Sequence, residues 1–184
     1  MISWECSMKV LVLGIGKMGY GLLKDLTSQP QIDEVVAADI NIVQAKRFAD
    51  RVGSDKIEVQ TCDVTNKQEA VRLMNEGFDV IASALPRPFC DAAVAAAIEA
   101  GVGYADVAAS FATIFDQDKA ARKAGVTVVP HIGLDIGIDR VLCGVGARKL
   151  DKVEGFRVWC GGFPQKGTPG YHNPIRYKIS WYWP

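Results

Sequence analysis

The chain has 184 residues, 49% of them hydrophobic and 23% charged, with 21 basic residues balanced by 21 acidic ones. That length supports one good core, or one domain and a fragment of another. The even charge balance gives no electrostatic case for nucleic acid or an anionic membrane surface, and the apolar runs are strand-sized, too short to span a bilayer.

Met1–Ser7 lacks the basic and long apolar regions of a signal peptide. Met8 opens the first apolar run, so Met1–Ser7 reads as an upstream start or a cloning remnant. A strand is expected at Lys9–Leu13. It runs into Gly14-x-Gly16-x-x-Gly19, and a helix at Lys17–Thr27 follows, with Met18, Leu22, Leu23 and Leu26 on its apolar face. Strand, glycine loop, helix is the order a dinucleotide pyrophosphate needs. The first glycine permits the tight turn, the second lets the backbone approach the phosphates, and the third lets helix and strand pack closely. Gly14, Ile15, Gly16, Lys17, Met18 and Gly19 are therefore the expected phosphate cradle. Glycines also mark ordinary turns. Here a second strand, Glu34–Asp39, ends in an acid about twenty residues beyond the loop, as the fingerprint asks.

Asp39, with Ile40 beside it, is the expected ribose contact. A carboxylate accepts hydrogen bonds from the 2′- and 3′-hydroxyls and repels a 2′-phosphate, and Asn41 is no phosphate-binding arginine. NAD is expected over NADP. The plainer alternative for Asp39 is a loop acid that caps the next helix. Lys46 and Arg47 read as solvated.

Helices at Ile42–Val52, Lys67–Glu76, Phe89–Ala100 and Ile114–Ala124 alternate with strands at Ile57–Cys62, Asp79–Ala84, Tyr104–Val107 and Thr127–His131. Several strands are continuous apolar runs, as parallel strands covered on both faces are. Thr65-Asn-Lys-Gln68 has capping-box spacing, and Gly77, Gly101 and Gly125 stand where helices should stop. The fold class is α/β, a Rossmann-type doubly wound parallel sheet in the order 3-2-1-4-5-6. Asp63 and Val64 either flank the adenine or turn into the Thr65 cap. Ala84, Leu85 and Pro86 close the fourth strand beside the crevice where strand order reverses, so a ribose can lie against backbone there. The bland reading is a strand ended by proline. His131 reads as a hydrogen-bonded structural residue. Asp135, between Gly133 and Gly137, either caps the helix starting near Ile138 or approaches the reacting end of the cofactor. No Ser-His-Asp set and no HExxH gives a hydrolase a foothold.

The five cysteines are an odd number, far apart and without CxxC. They give no convincing metal site and suggest reduced thiols in a cytoplasmic protein. Cys62 and Cys143 read as small core residues. A helix-like stretch runs to Lys149, and a further strand is expected at Val153–Cys160. Beyond it, prolines and aromatics (Tyr171, Tyr177, Trp181, Tyr182, Trp183) need apolar burial but are too few for their own core. They read as the opening of a second domain, cut off at Pro184.

Gly14-x-Gly-x-x-Gly19, Gly133-Leu-Asp-Ile-Gly-Ile-Asp139, Cys160-Gly-Gly-Phe-Pro164 and Asn173-Pro-Ile-Arg-Tyr-Lys-Ile-Ser-Trp181 together resemble the saccharopine dehydrogenase family, which includes lysine 6-dehydrogenases. The first motif is generic; the other three, in this order and spacing, are specific. The resemblance covers Met8 to the end and about the first half of a family member. It implies a dinucleotide-binding domain over residues 8–140, then a connecting helix and the incomplete start of a substrate and dimerisation domain over 141–184. It implies hydride transfer between a nicotinamide and the C–N bond of an amino acid, through an imine, in lysine metabolism: saccharopine is split oxidatively, or formed from 2-aminoadipate semialdehyde and glutamate. Lysine 6-dehydrogenase is the alternative, and a dinucleotide-binding module without turnover the other.

By the same resemblance, Leu134, Asp135 and Ile136 line the nicotinamide, and Ser180 and Trp181 touch the cofactor from the second domain. Ala108-Ala109 falls where relatives can place a Ser-Tyr pair near substrate, and Ile136 replaces the usual proline of Gly-Leu-Asp-Pro-Gly. The expected partners are a small-molecule amino-acid substrate and, for the full-length protein, a second copy in a homodimer. No metal and no catalytic acid or base is assigned.

Overall fold

The computed structural model describes residues 7–108, 113–133, 137–155, 157 and 158. In chain order these form β1 (Met8–Leu13), α1 (Lys17–Ser28), β2 (Ile32–Asp39), α2 (Ile42–Val52), β3 (Ile57–Thr61), α3 (Lys67–Met74), β4 (Val80–Ser83), α4 (Arg87–Ala100) and β5 (Gly103–Asp106). A 3₁₀ turn (Ile114–Gln117), α5 (Asp118–Ala124), β6 (Val128–Val129) and α6 (Ile138–Ala147) follow.

β1 lies at the centre because it is apolar on both faces. Successive strand side chains point to opposite sides, so Val10 and Val12 pack with Leu23 of α1 and Ala45 of α2. Leu11 and Leu13 pack on the other face with Leu73 and Met74 of α3 and Val94 of α4. All strands are parallel, in the expected order β3-β2-β1-β4-β5-β6. Strand order therefore reverses between β1 and β4, where an open α/β sheet leaves a crevice at the carboxyl ends of its strands.

Helix ends explain most differences from expectation. α4 and α5 stop at Gly101 and Gly125, both left-handed. α3 is capped one residue later than expected, by Asn66, whose side chain accepts the Glu69 N–H at 3.3 Å. Thr65 instead donates its hydroxyl to Asp63 Oδ1 at 2.7 Å. α3 ends at Met74, capped by Asn75, which leaves Gly77 in the following turn. The last strand shrinks from the expected Thr127–His131 to Val128–Val129 because Pro130 has no N–H to give a ladder.

The chain divides after Ile138 into two compact units. The first holds the sheet and the helices up to α5. Nearly all of α6 lies in the second, where Val141, Leu142 and Val145 are exposed and Cys143 is half-buried, not the core residue expected. The strand expected at Val153–Cys160 lies partly outside the described residues, and those described there form none. Among the described residues no helix is long and apolar enough to cross a membrane.

The shifted cap is testable by urea unfolding. Asn66→Ala is expected to cost about 1 kcal/mol, through the lost bond to the Glu69 N–H. Thr65→Ala, at an exposed site outside the cap, should stay within about 0.5 kcal/mol of the parent. The reverse ranking would return the cap to Thr65.

Candidate functional site

The end of β1 is stitched to both neighbouring strands. The Gly14 N–H donates to the Ala38 carbonyl at 2.9 Å, and the Ala84 N–H donates to the Leu13 carbonyl at 2.8 Å. Gly14 has φ +83°, and a Cβ there would lie 3.0 Å from the Leu85 nitrogen and 3.1 Å from the Ala84 carbonyl. A Cβ on Gly19 would stand 2.1 Å from the Gly14 carbonyl oxygen, so α1 sits closer to the loop than any side chain permits. Gly16 differs from both. Its φ of −89° is open to any residue, and a Cβ there would meet no protein atom within 4 Å. Neither backbone conformation nor protein packing calls for glycine at Gly16. What its missing side chain leaves free is space outside the loop, at the start of a helix.

That helix, α1, has Gly16 as its N-cap and no side-chain cap bond, which leaves its leading N–H groups for an anion. Ile15 is wholly buried in the core, so only its backbone faces the loop, whereas Lys17 and Met18 are exposed. Ala84 and Leu85 close against Gly14, and Pro86 is the N-cap of α4. The crevice thus brings together Gly14–Gly19 and Ala84–Pro86.

Asp39 ends β2 beside this loop. Its Oδ2 accepts the Ile15 N–H at 2.6 Å and its Oδ1 accepts the Asn41 N–H at 2.7 Å. Ile40 is exposed next to it. Gln44, absent from the sequence expectations, donates its side-chain amide to the Ile15 carbonyl at 3.1 Å. The signal for it was the capping-box spacing of Asn41-Ile-Val-Gln44, since Asn41 caps α2 by accepting the Gln44 N–H.

Farther along the same edge, Asp63 Oδ1 accepts the Thr65 hydroxyl and N–H, and these bonds, the hydroxyl's first, hold its carboxyl below the usual range. Val64 is buried in the core on the α3–α4 side. Ser83 Oγ accepts the Leu85 N–H at 3.4 Å. Asp106, also missed from sequence, is buried at the end of β5. Its Oδ1 accepts N–H groups from Ala108 at 3.0 Å and His131 at 3.2 Å. An acid closing an apolar strand, as Asp39 closes β2, was the signal available for it. His131 is buried with φ +59°, and burial lowers its pKa against the opposing pull of Asp106. Burial pushes the Cys62 thiol up to about 11 and that of Cys90 to about 12, so neither is a nucleophile near neutral pH. Gly133 and Gly137 approach so closely that a Cβ on Gly137 would lie 2.0 Å from the Gly133 carbonyl oxygen. Leu134, Asp135, Ile136, Ala109, Ser180 and Trp181 lie outside the described residues.

Residues 10–129 match the family described as the saccharopine dehydrogenase NADP binding domain. The chain is similar to the mitochondrial alpha-aminoadipic semialdehyde synthase of Rattus norvegicus, at 29% identity over 98% of this chain and 19% of that protein. It is also similar to saccharopine dehydrogenase (NADP(+), L-glutamate-forming) of Saccharomyces cerevisiae, at 28% identity over 94% of this chain and 38% of that protein. Among solved structures, the apo saccharopine dehydrogenase (L-Glu forming) of Saccharomyces cerevisiae aligns with a TM-score of 0.70 at 25% identity, covering 77% of this chain and 31% of that one. The chain therefore spans well under half the length of these relatives.

These findings overturn the expected preference for NAD. The matched family binds NADP, and the yeast relative is named for NADP(+). The physical reason lies in Asp39. The expectation set its carboxylate against the ribose, where it would repel a 2′-phosphate, but both oxygens are turned onto backbone N–H groups of this chain.

The three glycines should separate in stability measurements. Gly19→Ala is expected to cost about 2 kcal/mol or more by overpacking against Gly14. Gly16→Ala should remain within about 0.5 kcal/mol of the parent. Urea midpoints decide it; equal losses at Gly16 and Gly19 would contradict the open space found outside Gly16.

Proposed function

The chain belongs to the saccharopine dehydrogenase NADP-binding-domain family, and from that premise we propose that it binds NADP(H) at the Gly14–Gly19 loop. It does so as the cofactor-binding part of an oxidoreductase acting on the C–N bond of an amino acid. The observation that carries the reading is the open space at Gly16, where glycine serves neither the backbone nor the core. A dinucleotide is the ligand for which a glycine in that place, at the start of an uncapped helix and beside the switch point, has a use.

In this reading the leading N–H groups of α1 meet the pyrophosphate, and the adenosine half lies toward Ile40 and Asp63 at the ends of β2 and β3. The other nucleotide lies toward Ala84, Leu85 and Pro86, at the end of β4. When bound, NADP(H) supplies or accepts the hydride. The chain's own residues bind and orient it. On the family resemblance we assign Leu134, Asp135 and Ile136 to the nicotinamide side and Ser180 to a contact from the second domain. Residues 8–140 are then the cofactor domain, and 141–184 open the substrate and dimerisation domain. The names of the relatives support saccharopine, or 2-aminoadipate semialdehyde with glutamate, as substrate. Lysine 6-dehydrogenase would use the same cofactor half on a different amine. The free thiols of Cys62, Cys90 and Cys143 suit a reducing compartment such as the cytoplasm.

Fluorescence titration with NADPH and NADH tests the cofactor. NADPH is expected to bind about tenfold tighter, the worth of roughly one charge-assisted hydrogen bond to the 2′-phosphate. Gly16→Val should weaken both by about a hundredfold or more without lowering the thermal midpoint, because the branched side chain fills the phosphate's approach. Tighter binding of NADH, or a Gly16→Val chain that binds like the parent, would defeat the proposal. Coupled NADPH formation with saccharopine against lysine, in a protein carrying the complete substrate domain, separates the two substrates.

A further inference from the structure

We infer that Asp39 and Gln44 are positioning residues that clamp the two peptide groups of Ile15, and that Asp39 acts on the phosphate loop and does not read the 2′-position of the ribose. The inference rests on the proposed binding of NADP(H) at that loop.

Ile15 is held from three directions. Its side chain is wholly buried in the core between the sheet and helices α1 and α2. Its N–H donates to Asp39 Oδ2 at 2.6 Å, a short, charge-assisted bond. Its carbonyl accepts from Gln44 Nε2 at 3.1 Å. A trans peptide sets C=O and N–H on opposite sides. Holding the Ile15 carbonyl on the α2 side therefore turns the Gly16 N–H away from α2. The clamp sets the direction of the donor at the very residue where the loop is open.

The sequence order of the clamp explains how Gln44 comes to be free for it. In an ordinary capping box the side chain at this position reaches back to the N–H of the cap residue. Here Asp39 Oδ1 already takes the Asn41 N–H at 2.7 Å. The Gln44 amide is released to cross to a residue 29 positions upstream. One carboxylate thus fastens the loop with one oxygen and the start of α2 with the other. Each oxygen of that carboxylate is engaged by an N–H group of the chain itself.

A loop ordered before binding need not be ordered by the ligand, so loss of the clamp should appear in affinity. Asp39→Asn is isosteric and removes one acceptor; Gln44→Met keeps length and removes the donor. Each is expected to weaken NADPH and NADH by the same factor, about tenfold, with their ratio kept within about twofold. Amide exchange at Ile15, whose N–H the clamp engages, should accelerate about tenfold or more in both variants, while Val10 and Val12 in the core of β1 keep the parent's protection.

A ratio moved toward NADPH by about tenfold in Asp39→Asn would make Asp39 a ribose reader and overturn the inference. Exchange and binding unchanged in Gln44→Met would overturn it as well. So would exchange rising at Val10 and Val12 together with Ile15, which marks a general loss of structure. A parent chain that binds neither cofactor defeats the proposed function instead, and the exchange measurement still decides the clamp.

Discussion

The carbonyl oxygen of Gly14 occupies the ground that a β-carbon on Gly19 would need, 2.1 Å away, and this contact fixes where α1 begins. With no side chain between them, the first turn of the helix rests directly on the loop, and the loop in turn rests on the end of the central strand. β1 is pinned on both sides by β2 and β4 and buried on both faces, so it has no freedom to pass on. The open place at Gly16 is thus held by the stiffest part of the fold. A site on such a support costs little to organise when a ligand arrives.

One device recurs along the carboxyl edge. Asp39, Asp63, Ser83 and Asp106 each accept, through a side-chain oxygen, the N–H two residues farther on. These are the turns that short oxygen-bearing side chains make with their own backbone. In a parallel sheet all strands end on the same edge, so the turns gather there and leave the connecting segments with defined exits. Two of the four also bind N–H groups distant in sequence. Asp39 also reaches back to Ile15, and Asp106 also takes the N–H of His131, tying the exit of β5 to that of β6.

Most of the fold was legible because its signals are local or periodic. Apolar runs of strand length, the glycine stops at Gly101 and Gly125, and the spacing of Gly14, Gly16 and Gly19 can each be read from neighbouring residues. The strand order followed from their alternation with helices. What was not legible depends on which partner a polar group finds. An aspartate at the end of β2 is the same letter whether it meets a ribose or a backbone N–H, and the bond that decides comes from Ile15, 24 residues upstream. The cofactor preference was misread for that reason. The cap of α3 was displaced by one residue because Thr65 and Asn66 both suit the role, and the Thr65 hydroxyl is engaged by Asp63. Gln44 and Asp106 went unnoticed because their work is done on backbone groups distant in sequence.

The two outer strands of the sheet are built in ways that discourage strand addition. At one edge β6 offers only Val128 and Val129 before Pro130 removes the next donor. At the other, β3 is five residues long and exposes Glu58 and Thr61. Short strands, a proline and an edge charge are the features that keep an unpaired edge from recruiting a foreign strand. A chain whose core is a stack of hydrophobic parallel strands carries an inherent risk of amyloid-like stacking. Here the risk is confined to the interior of the sheet, where every strand already has its neighbours, and the margins do not propagate it.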